Sequence, residues 1–161
     1  VGERGRKAMF SLESLTAEFS GKTDWILAAR ALREQKVIKP KASDGTELLW
    51  AFGHLIGNTD MHQGNVSFIS DTSRPYELAP AYDVSPMCFA PRTGGGMSQN
   101  APVFNFRAEV RLPVWKQALA MARQYMARLQ ADERLSDAFQ PCIHALSQHI
   151  HQAGLLIDNI G

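Results

Sequence analysis

An ordinary α-helix cannot run through residues 57–69, GNTDMHQGNVSFI, because glycine and asparagine are concentrated in the first half of this segment. The residues before it, ELLWAFGHLIG, carry apolar side chains at helical spacing. The residues after the polar part alternate: NVSFI is typical of a strand, SDTSRP of a turn and YEL of a second short strand. The sequence therefore predicts a helix, a polar loop and then a β-hairpin.

Helical patterns flank this loop and hairpin on both sides. Residues 11–19 and 24–35 each predict an amphipathic helix, and the spacing of Asp44 and Glu47 resembles a capping box that opens the third helix. The stretch KPKASDG before it is predicted to be a loop. Two further helices are predicted in the C-terminal third, with these apolar stripes: Val114, Ala118, Met121, Tyr125 and Leu129, then Phe139, Ile143, Leu146, Ile150 and Ile157. The predicted fold class is α+β and predominantly helical, with no internal domain boundary.

Composition limits the classes of function. The 161 residues suffice for one domain with a buried core, and a hydrophobic content of 45% is typical of a globular protein. A formal net charge of +1 gives no reason to expect direct binding to nucleic acid or to a membrane, and the basic start, VGERGRKA, is interpreted as a solvated arm. No apolar run approaches the ~20 residues of a membrane span. A cytoplasmic protein is expected, and its start at Val1 favours a piece of a longer one.

Three polar residues have the spacing of a phosphoryl-transfer site. Asp60 and Asn65 are separated like the Asp and Asn of the protein-kinase catalytic loop, H-R-D-x-x-x-x-N. In that loop the carboxylate orients a hydroxyl group and accepts its proton, while the amide oxygen holds a metal ion on the ATP phosphates. The predicted hairpin would return Asp83, in YDVSP, towards Asn65, where a second carboxylate could bind Mg²⁺.

The segments IGNTDMHQGNVSFI and YELAPAYDVSPM resemble the C-terminal signature of HipA-family serine/threonine kinases, the toxin components of bacterial toxin–antitoxin systems. This resemblance covers residues 55–87. It implies that Asp60 is the catalytic aspartate and that Asn65 and Asp83 bind the Mg²⁺ that accompanies ATP. His62 is expected to support the loop, and it is counted with Asp60 among the candidate catalytic residues. Asn58 stands where many other kinases have a loop histidine.

The resemblance also implies what surrounds the site. Residues 1–161 would form the C-terminal lobe of a protein-kinase-like fold, and the N-terminal lobe that grips the nucleotide is absent from this chain. The isolated chain is therefore expected to be inactive. The family further implies ATP as phosphoryl donor, a protein substrate such as an aminoacyl-tRNA synthetase, and a small DNA-binding antitoxin as partner.

Two other functions share parts of this pattern. A small-molecule phosphotransferase of the aminoglycoside or choline kinase type also has a D-x-x-x-x-N loop, although Asn58 replaces the histidine that would favour it. A non-catalytic module could keep the same lobe only as a protein-binding surface. Turn chemistry alone also explains many individual Asp and Asn residues.

The remaining histidines, cysteines and glycines have simpler interpretations. His54, Asp60 and His62 leave a transition-metal site open as a minor alternative. His149 and His151, two residues apart on a predicted helix, are interpreted as surface histidines. The cysteines, Cys88 and Cys142, show neither CxxC spacing nor a disulfide framework, and Cys88 is interpreted as a small buried side chain. The glycines at 94–96 are interpreted as a flexible loop rather than a phosphate cradle.

Overall fold

The computed structural model describes residues 7–70, 73–96 and 98–160. In these residues the elements are β1 (Ala8–Ser11), α1 (Leu12–Phe19), α2 (Trp25–Glu34), α3 (Pro40–Leu55), β2 (Ser67–Ser70), β3 (Glu77–Leu78), α4 (Leu112–Gln130) and α5 (Gln140–Asn159). Single 3₁₀ turns occur at Gln63–Asn65, Met87–Phe89 and Asp137–Phe139. The prediction of an α+β, predominantly helical chain is confirmed. Most of the predicted basic arm, residues 1–6, lies outside the described residues.

The chain forms two compact units that alternate along the sequence, a division that the sequence had not predicted. Within the described residues, the first unit comprises the chain up to residue 47 together with residues 62–83. The second unit comprises residues 48–61 and the chain from residue 84 onward. Helix α3 consequently begins in the first unit and ends in the second, and the polar loop after it passes from the second unit into the first.

An antiparallel three-stranded sheet in the order β1-β2-β3 forms part of the first unit. Its middle strand pairs Phe68 with Phe10 on one side and with Leu78 on the other. The predicted β2–β3 hairpin is confirmed, whereas strand β1 was not predicted. Directly after β1, the backbone N–H of Leu12 donates to the carbonyl of Val66 at 2.7 Å. This bond ties the start of helix α1 to the end of the polar loop.

Helices α1 and α2 are confirmed, and their first turns are capped by side chains. The Ser11 hydroxyl accepts from the backbone N–H of Ser14 at 3.1 Å. One carboxylate oxygen of Asp24 accepts from the N–H groups of both Ile26 and Leu27, each at 3.0 Å. Such caps satisfy backbone donors that have no partner inside the helix. The buried faces of the two helices include Leu12, Leu15, Trp25, Ala28 and Leu32.

Helix α3 begins earlier than the sequence predicted. The stretch KPKASDG is not a loop, and Asp44 and Glu47 do not form a capping box, because both lie inside a helix that starts at Pro40. Proline suits the first position of a helix, where its missing N–H leaves no bond unmade. Gly45 is accommodated by packing, since a Cβ atom at this position would lie 2.7 Å from the Cδ2 atom of Leu78.

Helices α4 and α5 pack together and supply most of the core of the second unit. The predicted stripe on α4 is partly wrong: Met121 is exposed, and Tyr125 and Leu129 are only half-buried. The face that α4 buries instead carries Val114, Trp115, Ala118, Leu119, Ala122 and Met126. None of the helices in the described part of the chain combines the length and apolar character that a membrane crossing requires.

Helix α5 buries four of the five residues of its predicted stripe. Ile143, Leu146, Ile150 and Ile157 are each buried, while Phe139 precedes the helix and is half-buried. The interpretation of His149 as a surface residue is wrong, because its side chain is only 5% exposed. His149 follows Leu146 by three positions and so lies on the same helical face as the apolar stripe.

Candidate functional site

The polar loop starts in the second unit with a turn that fixes the backbone of Asp60. The side-chain oxygen of Asn58 accepts from the backbone N–H of Asp60 at 3.0 Å, and the N–H of Asn58 donates to the carbonyl of Gly53 at 2.9 Å. Asn58 is buried, whereas Asp60 is exposed. The buried side-chain amide of Asn58 therefore orders the backbone of Asp60, and Asp60 itself is exposed to solvent.

Gly57, immediately before this turn, has φ of +73°, a conformation that favours glycine. Its carbonyl accepts from the backbone N–H of Cys88 at 3.0 Å. Cys88 is half-buried rather than fully buried, and burial raises the pKa of its thiol to about 11. The thiol is therefore protonated near neutral pH and contributes packing rather than a nucleophile.

In the first unit, His62 caps the 3₁₀ turn Gln63–Asn65. Its Nδ1 atom accepts from the backbone N–H of Gly64 at 3.1 Å, so in the neutral ring the proton is on Nε2. A Cβ atom at Gly64 would lie 2.9 Å from two atoms of the His62 ring, which explains the glycine. The contact of His62 is thus to the loop backbone.

Gln63 links the same turn to helix α1. Its side-chain oxygen accepts from the Thr16 hydroxyl at 2.9 Å, and its amide nitrogen donates to the carbonyl of Lys22 at 2.9 Å. Thr16 is buried, and its hydroxyl also contacts the carbonyl of Glu13 at 2.9 Å. The turn that presents Asn65 is consequently attached to a packed helix.

Asn65 and Asp83 both belong to the first unit. The N–H of Asn65 donates to the carbonyl of His62 at 3.0 Å, and Asn65 is half-buried. Asp83 is exposed and has φ of +54°, the left-handed region that few residues other than glycine adopt. Next to Asp83, the Tyr82 hydroxyl donates to the carbonyl of Gly64 at 2.7 Å. A hydrogen bond therefore joins the residue preceding Asp83 to the residue preceding Asn65.

The donor chemistry of Asn65 and Asp83 suits Mg²⁺. An amide oxygen and a carboxylate are hard oxygen ligands, and Mg²⁺ usually takes one or two carboxylates while keeping several waters. The half-buried and exposed positions of these residues leave room for such waters. Among the described residues, no group of three or more His, Cys, Asp or Glu side chains is suited to hold a metal ion together.

His54 is part of an aromatic cluster in the second unit. Its ring stacks on Trp50, with ring centroids 5.0 Å apart, and also lies near Phe104 and Trp115. The Nε2 atom of His149 lies 3.4 Å from the carbonyl of His54. Burial, and then the neighbouring His149, lower the pKa of His54. Its contacts are those of a core residue.

Sequence reasoning missed three residues whose side chains hold the polar loop by hydrogen bonds. Asn58 was noticed only as a departure from other kinases, Gln63 was not considered, and Tyr82 was quoted without a role. The position of Tyr82 next to Asp83 was the one available signal. Its partner, Gly64, is 18 residues away, so only the folded hairpin reveals the bond.

Comparison with known proteins identifies the family. The family model described as the HipA-like C-terminal domain matches residues 12–150, a range that includes Asp60, His62, Asn65 and Asp83. Toxin YjjJ of Escherichia coli (strain K12) is 36% identical over 152 residues, which are 94% of this chain and 34% of that protein. The chain thus spans about a third of the length of this curated relative. The predicted resemblance is confirmed, and the chain belongs to the HipA-like C-terminal domain family.

Proposed function

We propose that this chain carries the catalytic and magnesium-binding residues of an ATP-dependent serine/threonine protein kinase of HipA type. Membership of the HipA-like family and the D-x-x-x-x-N spacing both support this proposal. The observation that carries it is the 2.7 Å hydrogen bond between Tyr82 and Gly64. It links the two chain segments that hold Asn65 and Asp83, the residues that must act on one metal ion.

Asp60 is the residue proposed to act on the attacking hydroxyl. It is exposed, and the Asn58 side chain fixes its backbone. Its carboxylate orients the serine or threonine hydroxyl and accepts the proton as the oxygen attacks the γ-phosphorus of ATP. The bond from the γ-phosphorus to the β–γ bridging oxygen breaks, and ADP leaves with that electron pair. Positioned general bases typically contribute about 10²–10⁴ in rate.

Asn65 and Asp83 are proposed to hold Mg²⁺ through their side-chain oxygens. Bound there, Mg²⁺ would neutralise charge on the phosphates. The left-handed backbone of Asp83 agrees with this role, because residues in sparsely populated conformations cluster at functional sites. We assign the binding of the ATP phosphates by a glycine-rich loop and a lysine to the rest of the longer protein.

The full-length protein is proposed to act in the cytoplasm on a protein substrate. A substrate such as an aminoacyl-tRNA synthetase and a small DNA-binding antitoxin are the proposed partners, on the basis of the family alone. The name of the E. coli relative, a toxin, is compatible with both.

A phosphate-transfer assay tests the proposal. The full-length protein is incubated with Mg²⁺ and γ-labelled ATP, and label is measured on the protein itself and on the proteins of a cell extract. Asp60→Asn is expected to lower the transfer rate by about 10²–10⁴ while leaving the fold intact. Asp137→Asn is the matched control, because Asp137 is also exposed but lies far from Asp60 along the chain, in the 3₁₀ turn before helix α5. Equal transfer by both variants and the unchanged protein would refute the assignment of Asp60.

The same assay separates the two alternative functions. Label on a small acceptor, with proteins unlabelled, would favour a small-molecule phosphotransferase. Absence of Mg²⁺-dependent nucleotide binding by the full-length protein would favour a non-catalytic binding module.

A further inference from the structure

The Tyr82 hydroxyl has two hydrogen-bond partners on the segment that leads from the polar loop into strand β2. It lies 2.7 Å from the carbonyl oxygen of Gly64 and 2.6 Å from the hydroxyl oxygen of Ser67. A phenol has one proton, and only the phenol can donate to the carbonyl. The Ser67 hydroxyl must therefore donate to the Tyr82 oxygen, so that the two bonds form a directed chain.

The acceptor oxygen on Gly64 belongs to the peptide group that leads into Asn65. In that same peptide, the N–H of Asn65 donates to the carbonyl of His62 at 3.0 Å. Both polar atoms of the peptide plane are thus hydrogen-bonded, which restricts its rotation. The direction in which the Asn65 side chain leaves the backbone depends on this plane.

The other end of the contact bears on Asp83. Because Tyr82 directly precedes Asp83, holding its phenol limits the positions that the next residue can take. Asp83 has φ of +54°, a left-handed conformation that costs most L-residues energy and that Asp tolerates better than most. The bonds of the Tyr82 hydroxyl to Gly64 and Ser67 connect this part of the chain to strand β2 and to the loop before it.

Ser67 provides a rigid support for this arrangement. It is buried, belongs to strand β2, and its carbonyl accepts from the backbone N–H of Ala79 at 2.8 Å. Tyr82 itself is 38% exposed, so the residue is not part of the packed core. A hydroxyl with two aligned partners on an otherwise open residue indicates a role at the loop rather than in global stability.

We infer that Tyr82 is a positioning residue, whose hydroxyl sets the relative placement of the metal ligands Asn65 and Asp83. This inference rests on the proposed function, because it assumes that these two residues bind Mg²⁺. Tyr82 does not need to touch the metal ion or the reacting phosphate for this role. Its loss should therefore weaken the use of Mg²⁺ more than it slows the chemical step.

The test is the Mg²⁺ dependence of phosphoryl transfer by the full-length protein with the change Tyr82→Phe, which keeps the ring and removes only the hydroxyl. The Mg²⁺ concentration for half-maximal transfer is expected to rise about tenfold, equivalent to about 1.4 kcal/mol, as expected for one or two lost hydrogen bonds. The rate at saturating Mg²⁺ should approach that of the unchanged protein. Ser67→Ala, which removes one of the two bonds, should give a smaller shift.

Tyr76→Phe is the matched control, because Tyr76 lies in the same unit but stacks on Phe10, with ring centroids 4.9 Å apart. It should leave the Mg²⁺ dependence unchanged. An unchanged Mg²⁺ requirement in Tyr82→Phe would overturn the positioning role while leaving the proposed kinase intact. A lower rate at every Mg²⁺ concentration, with a matching fall in unfolding temperature, would also overturn it. No Mg²⁺-dependent transfer by the unchanged protein would overturn the proposed function and this inference with it.

Discussion

Replacement of Gly57 by alanine perturbs the chain just before the turn that presents Asp60. Gly57 has φ of +73°, which strains any residue with a Cβ atom. That Cβ would also lie 2.6 Å from the Sγ atom of Cys88, well inside van der Waals contact, and 3.4 Å from the Cδ atom of Pro102. The substitution therefore combines a backbone penalty with a steric one.

The two penalties can be estimated separately. A left-handed conformation costs a non-glycine residue about 1–2 kcal/mol. Overpacking a well-packed site typically costs about 1–3 kcal/mol. Gly57→Ala is therefore expected to lower the free energy of unfolding by roughly 2–5 kcal/mol, a large part of the stability of an ordinary domain.

Urea unfolding of the chain, followed by tryptophan fluorescence, measures this loss. Gly21→Ala is the control for the backbone term alone, since Gly21 has φ of +62° but no atom within 4 Å of a built Cβ. Adding Cys88→Ala to Gly57→Ala removes the clashing sulfur and should recover the steric part. The nearest remaining atoms would then be at 3.4 Å and 3.7 Å.

Two results would refute this reasoning. One is a loss of stability for Gly57→Ala no larger than that for Gly21→Ala. The other is a double variant, Gly57→Ala with Cys88→Ala, that is no more stable than Gly57→Ala by itself.

Three further predictions concern two titratable side chains and one helix cap. Burial lowers the pKa of His149 below its ordinary value of 6.5. Below about pH 6.5 the unfolded chain therefore binds more protons than the folded chain, and the free energy of unfolding should fall as the pH drops. In pH-dependent urea unfolding, His149→Gln should reduce this slope by up to about 1.4 kcal/mol per pH unit, whereas the exposed His151→Gln should not. The pKa of Cys88, raised from 9.0 to about 11, predicts alkylation by iodoacetamide at pH 8 about 100-fold slower than for a free thiol, and a rate near that of the free thiol would contradict it. Asp24→Ala removes the cap of helix α2 and should cost about 1 kcal/mol in urea unfolding, while an unchanged midpoint would show that the cap is unimportant.

Most helices and the hairpin were predictable because their signals are local. Apolar spacing indicated the helices, and alternation with turn residues indicated strands β2 and β3. Strand β1 was missed because its four residues, AMFS, are stabilised by pairing with a strand nearly 60 positions later, Phe10 opposite Phe68. Such pairing leaves little trace in the sequence of a short strand.

Two of the wrong predictions on helices have tertiary causes. The first turns of helix α3 contain Asp44 and Gly45, which favour loops in isolation, but Gly45 fits closely against Leu78. His149 was placed on the surface together with His151, because the two are only two positions apart on a helix, whereas α5 buries a broad face that includes His149. In both cases packing outweighs local preference.

The candidate site divides in the same way. The candidate residues Asp60, Asn65 and Asp83 were identified from their spacing in the sequence, and their roles are proposals. The groups that position them come from the folded chain: the Asn58 amide, which binds the backbone of Asp60, and the Tyr82 phenol, which contacts the peptide of Asn65. Sequence spacing cannot show such contacts, because each depends on the conformation of a turn or hairpin.

The proposed roles of Asp60 and Asp83 are tested most directly by metal binding. Electron paramagnetic resonance measures the binding of Mn²⁺, in place of Mg²⁺, to the full-length protein in the presence of ATP. Asp83→Asn is predicted to lose metal binding in the presence of nucleotide, whereas Asp60→Asn is predicted to retain metal binding and still to transfer phosphate about 10²–10⁴ times more slowly. Unchanged Mn²⁺ binding in Asp83→Asn, or normal transfer in Asp60→Asn, would contradict the account.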